Sequence, residues 1–123
     1  TSSGKLYSMA VSSNMRSAVL RRIDALKATE GTVVKEEWLE DRAILSAIKN
    51  DRMVECDFIE SERSCRRTRR MDEYYDILGQ GIKLGIIVPE SYVGKERFRM
   101  RRIKGEGRLL IMGYDNKQNG LLA

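Results

Sequence analysis

Apolar residues recur along this chain at spacings that predict three helices and several short strands. Met15, Val19, Ile23 and Leu26 return every three or four positions, which predicts a helix over residues 14–29. Ser13 or Asn14 can cap its start, and Gly31 lies just past its end. Trp38, Ile44, Leu45 and Ile48 form a broader apolar face and predict a second helix over 34–50. Thr32 can cap it, with Glu36 and Glu37 near the positive end of its dipole. Val54, Cys56 and Phe58 then alternate with Glu55 and Asp57, a strand pattern that sends both acids to solvent. Met71, Tyr75, Leu78 and Ile82 predict a third helix over 68–84, weakened toward its end by Gly79 and Gly81. Ile86-Ile87-Val88, stopped by Pro89, reads as a short buried strand. Residues 97–103 and 108–112 read as two strands joined by a turn at 104–107. Residues 6–11 can add another strand through Tyr7, Met9 and Val11.

These elements predict an α+β fold: three helices packed on a small, mostly antiparallel sheet with a C-terminal basic β-hairpin. Without a Gly/Ser linker or an internal repeat, residues 1–123 read as a single domain with loose ends at about 1–4 and 115–123.

Composition removes several chemistries. Histidine is absent, which excludes Ser-His-Asp and Cys-His catalysis and His-ligated zinc or haem. Two cysteines, Cys56 and Cys65, are too few for a Cys₄ metal site within one chain. Their alternatives are a single disulfide or two reduced thiols, and the basic, His-free chain favours reduced thiols and an intracellular location, cytoplasmic or nuclear/nucleoid. No apolar run is long enough to span a bilayer, and the mixed first ten residues predict no secretory leader. Gly4-Lys5 is followed by Leu6 rather than a hydroxyl, so it is not a phosphate loop. No cofactor is implied.

Charge carries the strongest functional signal. The chain holds 23 Lys+Arg against 18 Asp+Glu, a formal net charge of +5. Residues 95–108 alone hold Lys95, Arg97, Arg99, Arg101, Arg102, Lys104 and Arg108 against Glu96 and Glu106, an excess equal to the whole net charge. A second cluster, Arg63, Arg66, Arg67, Arg69 and Arg70, is flanked by acids on both sides. On an extended strand Arg97, Arg99 and Arg101 would share one face about 7 Å apart, matching successive phosphates. Phe98 and Met100 would then anchor the other face. Guanidinium forks suit phosphate oxygens and guanine edges. These twelve cations therefore predict a non-catalytic nucleic-acid-binding domain, for instance in a transcription or replication regulator. The alternatives are a solvated charged surface, or an assembly domain that docks an acidic protein or forms a homodimer. A further alternative is a metal-dependent nuclease using Glu55, Asp57, Glu60 and Glu62. Trp38 and most tyrosines read as packing residues rather than base platforms. Cys65, set among arginines, is expected to have a lowered thiol pKa.

From Arg66 to Met112 the order of helix, Leu84-Gly85-Ile86-Ile87 turn and hairpin resembles the second half of a winged helix. That resemblance implies a recognition helix carrying Arg66, Arg67, Arg69 and Arg70, and a backbone-contacting wing carrying the arginines of 97–108. It also favours DNA over RNA. The chain departs from the pattern in the roughly eighteen residues and predicted strand that separate the second and third helices.

Overall fold

The computed structural model describes residues 12–103 and 107–115. The expected strand at 6–11, the turn residues 104–106 including Lys104, and the tail from 116 lie outside the described residues. The described elements are α1 (Ser13–Lys27), β1 (Thr32–Trp38), β2 (Arg42–Lys49), β3 (Arg52–Glu60), α2 (Arg69–Gly79), β4 (Lys83–Pro89), α3 (Val93–Arg99) and β5 (Leu109–Tyr114). Single 3-10 turns at Ser64–Arg66 and Glu90–Tyr92 precede α2 and α3. The fold is α+β: the described residues form three helices and a five-stranded mixed sheet in the order β1-β2-β3-β4-β5.

The sheet departs from a mostly antiparallel one. β1, β2 and β3 form an antiparallel meander, while β4 runs parallel to β3 and β5 parallel to β4. Parallel neighbours need crossover connections, and α2 and α3 supply them. The sheet separates two apolar cores. α1 packs Met15, Val19, Ile23 and Leu26 against Ala43, Leu45, Ala47, Ile59 and Ile87. The other face buries Phe58, Leu84, Ile86 and Val88 with Tyr74 and Leu78 of α2 and Met100 just past α3.

Two predicted elements change identity. The helix expected over 34–50 is the β1–β2 hairpin. β2 buries Ala43, Leu45 and Ala47 on one face and half-buries Ile44, Ser46 and Ile48 on the other, so its mostly apolar run satisfies a helical stripe and a central strand equally well. Asn50 and Asp51, with φ of 55° and 62°, make the two-residue turn from β2 to β3. Positive φ at both central residues suits the twist of a tight hairpin, and Asn and Asp tolerate it. The second change is the strand expected at 97–103, which is helical through Arg99. Glu96 and Met100, four apart, are its inward residues, exposed by only 1% and 2%. An i,i+3 ion pair of 2.8 Å between Arg99 and Glu96 fits that period and not a strand's. Arg97, Arg99 and Arg101 therefore do not line one strand face, Phe98 is exposed rather than an anchor, and no hairpin joins this segment to β5.

The remaining elements sit near their predicted places. α1 starts one residue early, with Ser12 Oγ accepting from Met15 N at 3.1 Å. β3 contains the predicted 54–58 strand and β4 the predicted 86–88 strand. The third helix ends at Gly79, leaving Gly81 with a φ of 77° in the turn that follows.

Candidate nucleic-acid interface

Parallel pairing of β3 and β4 brings the two basic clusters together. Cluster 63–70 follows the carboxyl end of β3, and residues 95–102 follow the carboxyl end of β4. In open sheets with parallel strands, ligand crevices form beyond these ends. Here a groove of about 280 Å³ lies between the turn at Ser64–Arg66 and α3. It is lined by Cys65, Arg66, Thr68, Tyr92, Lys95, Glu96 and Arg99. Arg99 closes its floor by donating from Nη1 to Cys65 O at 2.8 Å and to Glu96 Oε2 at 2.8 Å. Gly113 on β5 helps set the approach of the second segment. A Cβ there would meet Val93 Cγ2 at 2.7 Å and the Glu90 backbone at 3.0 Å.

A buried polar network fixes the first segment. Glu60, fully buried at the end of β3, accepts from Arg42 Nη2 at 2.7 Å, Ser64 Oγ at 2.6 Å and Tyr74 OH at 2.7 Å. Arg42 Nη1 also reaches Glu73 at 2.8 Å, and Arg70 Nη1 reaches the same carboxylate at 2.9 Å. Burial raises Glu73, but its hydrogen bonds from Arg42 and Arg70 outweigh that and hold its carboxyl below the usual range. Burial and Glu60 push the Tyr74 phenol up, so it stays a donor. Ser61 and Ser64 exchange hydrogen bonds at 2.9 and 3.0 Å between backbone N–H groups and hydroxyls. Glu60 ties this segment to β2 through Arg42 and to α2 through Tyr74, and the Ser64 bonds to Glu60 and Ser61 fold the loop onto it, so the loop carrying Arg63 and Arg66 is held by the core.

The twelve predicted cations divide by what they touch. Arg67 pairs with Asp41 at 2.6 Å, Arg70 with Glu73, and Arg99 with Glu96. Arg108 donates to Leu78 O at 3.0 Å, which spends it on the end of α2. Lys104 lies outside the described residues. Arg63, Arg66, Arg69, Lys95, Arg97, Arg101 and Arg102 are exposed and make no ion pair among the described residues. Two of these seven lie over aromatic rings. Arg101 sits 3.8 Å from the Phe98 centroid, and Lys95 Nζ sits 5.3 Å from that of Tyr92. Glu96 Oε1 is buried without a hydrogen-bond partner, and burial pushes this carboxyl up despite Arg99.

Both thiols are free and buried. Burial, with Glu96 and Glu60 nearby, pushes Cys65 up to about 11, against the weaker pull of Arg99 and Arg66. The lowered pKa expected from its arginine neighbours is therefore reversed. Burial and Asp57 take Cys56 to about 12.

The four acids expected at one metal site are divided by the strand. Glu55 and Asp57 point beneath α1, Glu60 enters the opposite core, and Glu62 lies in the exposed loop. Glu55 and Asp57 are not on a solvent face, because β3 is a central strand covered on both sides. Arg22 of α1 bridges them, with Nη2 at 2.7 Å from Glu55 and Nε at 2.5 Å from Asp57. Lys83 Nζ stands 3.8 Å from Glu55. Burial and the adjacent Glu55 push Asp57 up to about 7, outweighing Arg22. Burial works against Glu55 too, but its hydrogen bonds to Asp57 and Arg22 outweigh it and lower that carboxyl. Opposite Asp57, Gly85 on β4 has no side chain to give: a Cβ there would overlap Asp57 Oδ1. No cluster of three or more metal-ligating side chains occurs among the described residues. No helix among them is long and apolar enough to cross a membrane.

Sequence reasoning missed Arg22 as a site-building residue, and it considered Glu60 only as a metal ligand rather than as the buried anchor of the loop. The available signal was weak. Arg22 lay off the apolar stripe of its helix like any surface arginine, and only the α1–β3 packing gives it partners. No known protein family, curated protein or solved structure matches this chain.

Proposed function

We propose that this chain is a non-catalytic nucleic-acid-binding domain that holds phosphates along the groove following β3 and β4. The observation carrying this reading is the set of seven exposed cations without ion-pair partners among the described residues. Three nearby acids are already engaged: Asp41 by Arg67, Glu73 by Arg42 and Arg70, and Glu96 by Arg99. Glu62, Asp72 and Glu90 stay exposed beside the cations. The seven outer cations outnumber these three acids, which leaves a net positive field facing solvent.

The winged-helix likeness enters as a likeness in element order, and it favours DNA over RNA. The backbone contacts it assigns to a wing fall in this reading to α3 and the turn after it.

Salt-dependent binding tests the proposal. With about six phosphates engaged, log affinity should fall against log salt with a slope near −5 on duplex, or about −4 on a single strand. Replacing Arg97, Arg101 and Arg102 together by Ala should flatten the slope by about 2 to 3 without unfolding the protein. If neither duplex nor single-stranded probes bind at low salt, the reading is wrong.

A further inference from the structure

We infer that the basic surface of α3 and the groove beside it take single-stranded rather than duplex nucleic acid, seating unstacked bases on Phe98, outside the groove, and beside Tyr92 on its wall. This rests on the nucleic-acid reading above and names its substrate class.

Phe98 is 64% exposed, more than any other large hydrophobic residue described. An isolated exposed apolar residue needs no explanation, but this one is organised. Arg101 Cζ sits over the ring, 3.8 Å from its centroid, and Arg101 Nη1 donates to Phe98 O at 2.8 Å. The guanidinium is thus held against one face of the exposed ring, and a base would stack on the guanidinium or on the ring's other face. Lys95 over Tyr92, at 5.3 Å, repeats the combination on the groove wall beside Arg66 and Arg99.

Each pair joins a π face to a positive charge, the combination that binds single strands by stacking bases while drawing in the backbone. Duplex nucleic acid offers phosphates to such a surface but keeps its base faces stacked on one another. The cations alone would bind either form. The aromatic members distinguish them, because only an unpaired strand can use them.

The test measures binding of a fluorescent oligothymidine and a duplex of equal length by anisotropy, across a salt series, using the full chain. Wild type should prefer the single strand. Phe98→Ala should weaken single-strand binding by roughly 5- to 150-fold, the range for losing one base–aromatic stack, and leave duplex binding unchanged. Its salt slope should stay at the wild-type value, since no phosphate contact is removed. Phe98→Trp should restore the affinity and Phe98→Leu should not. An unchanged urea midpoint for Phe98→Ala confirms that the exposed site does not carry the fold. Equal effects of Phe98→Ala on both probes, or none on either, would overturn the stacking proposal. The phosphate reading would still stand if the Arg97/Arg101/Arg102 variant flattens the slope. Absence of binding to both probes overturns both readings, as does binding to polyglutamate in preference to either nucleic acid.

Discussion

On the α1 face of the sheet Arg22 reaches two carboxylates, Glu55 and Asp57, in a space from which solvent is nearly excluded. Beyond the carboxyl ends of β3 and β4, seven exposed cations make no ion pair among the described residues. Both regions are rich in charge, and the sequence does not tell them apart. The difference is whether helix packing brings acids within reach. Under α1, charges are matched and enclosed, so they lock α1 to the sheet. At the strand ends an inner layer of arginines pairs with Asp41, Glu73 and Glu96, and the cations of the outer layer stay exposed. A net charge therefore locates no site until the neutralised part has been subtracted.

The largest expected effect breaks the enclosed side. Arg22→Met would leave two buried carboxylates with only Lys83 nearby, and should destabilise the fold by about 3–5 kcal/mol, read as a lowered urea midpoint. Adding Asp57→Asn should recover part of that loss, because one uncompensated charge is removed. A single variant that stays at the wild-type midpoint would mean that Arg22 is not the counter-ion.

Next in size is Gly85→Ala. Its methyl group needs the space of Asp57 Oδ1, so Asp57 must shift, with a cost of about 1–3 kcal/mol. The same substitution at Gly79, where nothing lies within 4 Å, should be close to neutral or stabilising. Thermal unfolding of the two variants side by side measures the contrast.

Titration separates the two regions as well. Asp57 has a native pKa of about 7 against an ordinary 3.8, so the native state binds the extra proton between those values. Its contribution to stability is fully present below about pH 4 and is lost as pH rises through 7. Glu55 and Glu73, held low, contribute in the opposite sense and lose their contribution under more acidic conditions. Stability measured from pH 4 to 8 should therefore fall more steeply in wild type than in Asp57→Asn. Identical slopes would remove Asp57 as the titrating group.

The smallest effect on stability belongs to the open side. Arg97→Ala, Arg101→Ala and Arg102→Ala should each move stability by no more than about 0.5 kcal/mol while reducing the salt slope of nucleic-acid binding. A large stability loss would place these arginines in the fold instead.

Local pattern made α1 readable, because its stripe of Met15, Val19, Ile23 and Leu26 has one period and one buried face. The centre of β3 was readable from the alternation of Val54, Cys56 and Phe58 with Glu55 and Asp57, and β4 from the apolar run Ile86-Ile87-Val88 stopped by Pro89. β2 was not readable as a strand, since apolar residues occupy both of its faces and erase alternation in the sequence. Asn50-Asp51 was the one local mark of its hairpin. α3 was misread because Arg97, Phe98, Arg99, Met100 and Arg101 alternate in type. Its true period shows only in Glu96 and Met100, and a carboxylate is not an obvious core residue. The twelve candidate cations were legible as two clusters, but their division into paired and unpaired was not.

By itself the sequence determined that no histidine is available to this chain's chemistry, the α+β content, and the two stretches where cations accumulate. Those follow from residue counts and local spacing, which need no partner. Only the tertiary structure decided that the clusters meet, because adjacency beyond β3 and β4 depends on their parallel pairing across more than twenty residues of chain. It also decided which arginines remain available, since an ion pair forms only where packing brings the opposite charge within about 4 Å.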